Sequence, residues 1–162
     1  MGDSINQRYY HPPVYLWPLV DYKFLLAQAQ VLQKIPTVNP HGLPLGASAS
    51  QKTFTIVLAD LALLHGLTGF RADRLIERDT ILDAYRGALA EQAGGQILID
   101  IFDRELFIWY RPEPRSLAEV DFIVSREEEV IPLEIKSGSV GRLESLHLFL
   151  SEYKLVKKAY AI

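Results

Sequence analysis

Ile131-Pro132-Leu133-Glu134-Ile135-Lys136-Ser137-Gly138 is the stretch on which the reading of this chain turns. An extended strand has a side-chain period of two, so Glu134 and Lys136 share one face and Ile135 takes the other. Upstream, Glu119-Val120-Asp121-Phe122-Ile123-Val124 has the apolar density of a second strand, and Ser125-Arg126-Glu127-Glu128-Glu129 is a polar turn between them. A hairpin of this kind brings Asp121 beside Glu134. Two carboxylates and an ammonium so placed form half of a site where a divalent metal and a phosphodiester can meet. The competing reading of the same residues is an ordinary surface ion pair, which contributes little.

Working outward, residues 80–99 have the spacing of a helix, with Ile81, Leu82, Tyr85, Ala88, Leu89 and Gln92 on one stripe. Leu106-Phe107-Ile108-Trp109-Tyr110 reads as an apolar strand closed by Arg111-Pro112-Glu113-Pro114, its aromatics better suited to a sheet core than to stacking on bases. Residues 142–153 predict a second helix, with Leu143, Leu146, Leu150 and Tyr153 inward, and 159–162 a last strand. The order is helix, three strands, helix, strand. A strand reached through a helical crossover usually lies parallel in the same sheet, so an α+β (α/β) domain with a small mixed sheet flanked by helices is expected over 80–162.

Residues 1–79 are read as a separate N-terminal segment, rich in Pro, Gly, Tyr and Gln, with turns at His11-Pro12-Pro13, Asn39-Pro40 and Gly42-Leu43-Pro44. Residues 22–32 have weak helical character, and 52–58 alternate like a strand with Phe54, Ile56 and Leu58 on one face. Asp60 has the place of an N-cap for a short helix over 61–67, ended by Gly66 or Gly69. The apolar cluster from Tyr9 to Trp17 is suited to docking on the core, on a second copy or on another protein.

Composition limits the choices without making one. An apolar fraction of 49% supports a real core, and the sequence has no cysteine for a disulfide framework or a thiolate metal site. No apolar run approaches the roughly 20 residues that cross a bilayer, and no basic leader opens the chain, so a cytoplasmic, non-membrane protein is expected. Net charge is −3, and residues 80–162 hold ten basic against fourteen acidic side chains. Tight non-specific DNA binders are usually basic, so DNA affinity here has to depend on a metal and on a local patch, for which Arg71, Arg74, Arg78 and Arg86 are candidates. His11, His41, His65 and His147 lack ligand spacing, and no serine sits in a Gly-x-Ser-x-Gly elbow.

An acid on the first helix of this order, followed by Asp and Glu-x-Lys on the second and third strands, resembles the PD-(D/E)XK nuclease superfamily, whose minimal core residues 80–162 cover. Longer words narrow the likeness: 87–92 with Gln96, Ala118-Glu119-Val120-Asp121-Phe122, 131–138 and Gly141-Arg142-Leu143-Glu144-Ser145-Leu146. Together with Gly42-Leu43-Pro44-Leu45-Gly46-Ala47 and 54–64, they are similar to the C-terminal domain of unknown function in bacterial and archaeal AAA-type ATPases, over roughly residues 22–162. The proline that names the superfamily is Val120 here, which costs the chemistry little because that proline is not a ligand. No Gly-x-x-x-x-Gly-Lys-Ser/Thr is present, so this chain has no phosphate-cradling loop of its own.

The resemblance implies a restriction-endonuclease-like core, preceded by part of a helical or winged-helix-like region. It implies a metal-dependent DNA-binding or DNA-processing module that accompanies an AAA-type ATPase, or alternatively a non-catalytic DNA- or protein-interaction domain that keeps the fold. In the first case Asp121 and Glu134, joined by Glu91, hold Mg²⁺ through hard oxygens, and Lys136 stabilises charge developing on the phosphoryl group. Ser137 and Arg142 then lie where a neighbouring phosphate would be held. Ala84 and Ala88 are the small residues expected to let the helix carrying Glu91 approach the sheet. Each piece also has a plain reading, Glu91 as a solvated helix acid and 137–141 as a strand-to-helix turn.

Overall fold

The computed structural model describes residues 19–69, 80–113, 116–137, 143–154 and 156–162, with backbone alone at 19–23, 80–84, 112–113 and 116–117. The aromatic cluster from Tyr9 to Trp17, Arg71, Arg74 and Arg78, the Gly138–Gly141 loop and Arg142 therefore lie outside the described residues. In chain order the elements are α1 (Leu19–Gln28), β1 (Leu32–Pro36), a 3-10 turn (Leu45–Ser48), β2 (Phe54–Leu58), α2 (Leu61–Thr68), α3 (Thr80–Ile101), β3 (Phe107–Glu113), β4 (Ser116–Arg126), β5 (Glu129–Glu134), α4 (Glu144–Glu152) and β6 (Tyr160–Ala161). The class is α+β. No helix among the described residues is long and apolar enough to cross a membrane.

Strands β3, β4 and β5 form an antiparallel meander, and β6 returns through α4 to lie parallel to β5. This is the helix, three-strand, helix, strand order expected of residues 80–162. β3 runs on through Pro112 to Glu113, past the stop expected at Arg111-Pro112. It is an edge strand of the four-stranded sheet, where the missing N–H of proline removes no bond that a neighbour needs.

Each face of the sheet buries its own core, as alternation demands. On one face Trp109, Val120 and Ile123 pack against Leu146, Phe149 and Tyr153. On the other, Ile108, Phe122, Val124 and Leu133 pack against Leu98 and against Ile35 and Val57 from the first third of the chain. The inward stripe of α4 is Leu146, Phe149 and Tyr153, with Leu143 and Leu150 only half-buried. Phe149 meets the Trp109 ring edge-on at 5.2 Å. The Tyr153 hydroxyl accepts from Trp109 Nε1 at 3.1 Å and donates to Asn39 Oδ1 at 3.1 Å, so the buried polar tips of both rings are satisfied. The helix runs from Glu144, with Leu143 at the N-cap.

The first third of the chain departs from expectation in β1. Helical character over 22–32 gives way at Gln28, since Gln30 takes a positive φ of 57°, and Leu32 already begins a strand. Ile35 is fully buried at the centre of that strand. β1 and β2 pair as an antiparallel ribbon, joined to β3 by a parallel bridge from Thr37 to Ile108 and by Val38 N–H donating to Ile108 O at 2.9 Å. Within β2 the buried residue is Val57, while Phe54, Ile56 and Leu58 are only partly covered. α2 forms as read: Asp60 accepts from Ala62 N–H at 2.8 Å, and Gly69 closes the helix at a φ of 63°, a conformation that glycine adopts without strain.

α3 lies close over this second face at two glycines; of the two alanines expected to allow this, the Ala84 side chain lies outside the described residues. A Cβ on Gly95 would stand 2.8 Å from Val57 Cγ2 and 3.0 Å from Phe122 Cζ, and one on Gly94 would stand 2.9 Å from Ile135 Cδ1. Ala88, assigned above to the packed stripe, is exposed. Gln92 and Gln96 supply the remaining join. Gln92 accepts from Leu58 N–H at 2.9 Å and donates to Ile56 O at 2.8 Å, and Gln96 donates to Leu58 O at 2.8 Å.

Candidate functional site

The β4–β5 hairpin sets the site's frame. Phe122 pairs with Leu133, Ile123 with Pro132 and Val124 with Ile131, so the next position along places Asp121 opposite Glu134. The turn between the strands puts Glu127 and Glu128 at positive φ, 52° and 65°, the pattern that two-residue hairpin loops require. On the other side of β4 the register slips. Phe107 pairs with Ile123 but Trp109 pairs with Val120, so Asp121 and Phe122 together oppose the single residue Ile108. This is a β-bulge, which bends the strand and re-aims the side chains it carries. It explains how Val120 and Phe122 come to lie in different cores despite being two apart.

The bulged Asp121 reaches across to the stretch that follows β5. Its Oδ2 accepts from Ile135 N–H at 2.7 Å, while Lys136 Nζ donates to Glu134 Oε1 at 2.7 Å. Ile135 itself turns away into the core beneath Gly94. The period-two placement of Glu134 and Lys136 against Ile135 is thus what the chain adopts. Glu134 is only 7% exposed, and its second oxygen, Oε2, is buried with no hydrogen-bond partner among the described residues. A buried carboxylate oxygen left unpaired is costly and calls for a cation or a water.

Negative charge gathers here. Burial pushes the Asp121 carboxyl up from 3.8 to about 7; the Ile135 N–H opposes this, the Glu134 and Glu91 carboxylates add to it, and Lys136 draws it down. Glu91, exposed on α3 one turn before Gly94 and Gly95, is also raised, first by desolvation and then by Glu119 and Glu134. Glu119 is raised by desolvation and by Glu134. Glu91, Glu119 and Asp121 are each raised in part by a neighbouring carboxylate, and the Lys136 ammonium that draws Glu91 and Asp121 down is itself paired to Glu134.

Glu119 is a member of this group that the sequence reading does not single out. The signal was present, since residues 119 and 121 are two apart on a strand. Glu91, Glu119 and Asp121 line one shallow cavity with Thr55, Gln92 and Phe122, of about 40 Å³. That is room for an ion or a few waters but far below the roughly 300 Å³ of a small-molecule pocket. A concavity of about 430 Å³ lies elsewhere, between Leu43, Val130, Val156 and Lys158.

The residues fit a hard divalent cation in part. Asp121 and the free oxygen of Glu134 are suitable donors, and Mg²⁺ commonly takes only one or two protein carboxylates, keeping waters for the rest. As they stand, no three His, Cys, Asp or Glu side chains among the described residues are arranged to hold a metal ion. Glu91 thus joins the site through its charge, at the cavity's rim. Ser137 is exposed just beyond Lys136, and Arg86, at the start of the well-packed part of α3, is half-buried with a partner.

The acid on α3, the bulged Asp121 and the Glu134-Ile135-Lys136 segment all fall within one matched region. Residues 86–162 match the family model of a domain of unknown function, DUF4143. The DUF4143 match takes in most of α3, the four-stranded sheet and α4, and therefore every acid of the site. The β1–β2 ribbon lies outside it, although Ile35 and Val57 complete one of the matched region's two cores. No curated protein and no solved structure matches the chain.

Proposed function

We propose that the Asp121, Glu134 and Lys136 cluster is the divalent-cation site of a nuclease-like module that binds or processes DNA, on a core of the restriction-endonuclease type. One observation carries the reading: a bulged aspartate, a lysine and a buried glutamate, one of whose oxygens has no partner among the described residues, meet over the Ile135 peptide. Mg²⁺ bound there would polarise a phosphoryl oxygen and lower the pKa of a water. The chain's own parts have separate tasks. Ile135 N–H fixes the Asp121 carboxylate, Glu134 orients the Lys136 ammonium, and that ammonium faces negative charge on a phosphate. The shallow cavity suits a polymer lying across the surface rather than an enclosed metabolite. Ser137 stands where the next phosphate would pass, and Arg142 follows on the same connection. The AAA-type ATPase that the sequence resemblance implies belongs to this reading as the partner supplying ATP-driven movement.

A second reading has its own support: a non-catalytic DNA- or protein-contact domain that keeps the acids for structure. It is favoured by the acidic balance of residues 80–162 and by the lack of a ready three-ligand set among the described residues. Incubation with single-stranded, duplex and branched DNA in Mg²⁺ or Mn²⁺ separates the two. Cleavage by the parent protein that falls at least about 100-fold in Lys136→Ala and Glu134→Ala supports catalysis. Cleavage equal in all three proteins reveals a contaminant and removes the catalytic reading.

A further inference from the structure

We propose that β6 is a clip that sets the geometry of the Glu134–Lys136 segment, and that Ile162 is a positioning residue for cation binding by that segment; the inference rests on the site reading above. Glu134 is the last residue of β5, and pairing with β4 ends at the Phe122–Leu133 pair. Beyond that point the segment is held from two sides. From β4 comes the Asp121 carboxylate on Ile135 N–H, at 2.7 Å. From Ile162, the residue that follows β6, come two backbone bonds: Lys136 N–H donates to Ile162 O at 2.8 Å, and Ile162 N–H donates to Glu134 O at 2.9 Å. The peptides of both chemically active residues are thereby fixed by Ile162.

The clip adds little to the core itself. Tyr160 is 48% exposed and Ile162 65% exposed, so neither side chain gains much from burial where it lies. Its approach is anchored independently, by buried Val156 and by Lys158 Nζ bonded to Glu129 Oε2 at 3.0 Å. What Ile162 supplies is backbone hydrogen bonding to the two residues whose side chains form the ion pair. Groups that orient a ligand without touching the metal commonly govern affinity by about 10–100-fold.

The test compares Ile162→Pro, which removes the donor to Glu134 O, with Ile162→Ala, which keeps the backbone bonds and loses only an exposed side chain. Mn²⁺ binding by the full chain is measured by calorimetry for both and for the parent. The proposal expects Ile162→Ala to stay within about twofold of the parent and Ile162→Pro to bind roughly 10–100-fold more weakly, with both variants folded. Equal affinities in the two variants overturn it. Deletion of Ile162 is the second variant, free of any proline ring, and unfolding of both it and Ile162→Pro also overturns the proposal, because β6 would then be part of the folding core. If the parent binds no Mn²⁺, the cation-site reading fails, and amide hydrogen exchange decides the clip alone. Faster exchange at Ile135 N–H, which bonds Asp121 and not β6, in Ile162→Pro but not Ile162→Ala supports the clip. Unchanged exchange there refutes it.

Discussion

Replacing Asp121 with asparagine should stabilise the metal-free protein at pH 8 and leave it nearly unchanged at pH 4. The folded carboxyl titrates at about 7 against an ordinary 3.8, chiefly because it is buried. Folding therefore strengthens proton binding at this position. The sign follows: its contribution is full below about pH 4, where both states are protonated, and is lost as pH rises toward 7 and the unfolded chain alone releases the proton. At about 1.36 kcal/mol per tenfold change in proton affinity, the whole difference is roughly 4 kcal/mol, and partial access to water reduces it to about 1–3 kcal/mol. Asparagine keeps an oxygen for Ile135 N–H and never ionises, so it behaves as the protonated form at every pH. Urea unfolding of both proteins in chelator, at pH 4, 6 and 8, measures the gap. Mn²⁺ at about 100 times its Kd should then restore about 2.7 kcal/mol to the parent and much less to the variant. A gap of constant size across pH, or a variant weaker than the parent at pH 8, would refute the placement of this carboxyl.

Two further predictions concern the scaffold and are read by thermal or urea unfolding. Gly95→Ala should destabilise by about 1–2 kcal/mol, because its Cβ meets Val57 and Phe122, whereas Gly87→Ala, with nothing within 4 Å, should stabilise by up to about 1 kcal/mol through helix propensity. Destabilisation of equal size at the two positions would contradict the close approach of α3 at Gly95. At the hairpin, Glu127→Asn with Glu128→Gly should add about 1 kcal/mol, since both glutamates now hold positive φ and Asn-Gly adopts that turn readily. No gain would mean that the turn is of another kind in solution.

Elements whose signal is local were legible in the sequence. The Asp60 cap, the glycine that ends α2 and the β4–β5 hairpin each depend on residues close to one another in sequence. What stayed hidden depends on partners distant in sequence. Leu32-Gln33-Lys34-Ile35-Pro36 shows no clean alternation, and only burial of Ile35 against α3 and the sheet makes it a strand. The bulge at Asp121-Phe122 exists only relative to Ile108, so period-two counting carries Val120 and Phe122 to one face when they lie on two. Gly94 and Gly95 carry no mark in an otherwise helical run, and their purpose appears only when Ile135, Val57 and Phe122 are seen beneath them. Within the site, Asp121, Glu134 and Lys136 were legible because a hairpin register is local. The Glu134 oxygen that is buried without a hydrogen-bond partner among the described residues was not, since its burial comes from elements that no spacing encodes.

The glutamines of α3 have an effect beyond attaching the ribbon. A strand with unpaired N–H and C=O groups along one side is a template on which another chain can add. Leu58 N–H, Leu58 O and Ile56 O would offer that template, and Gln92 with Gln96 occupies all three from a helix. The amide side chains stand in for a missing neighbour strand while being unable to propagate the sheet. At this edge, growth of the ribbon into intermolecular β-structure is blocked by side chains rather than by charge or proline.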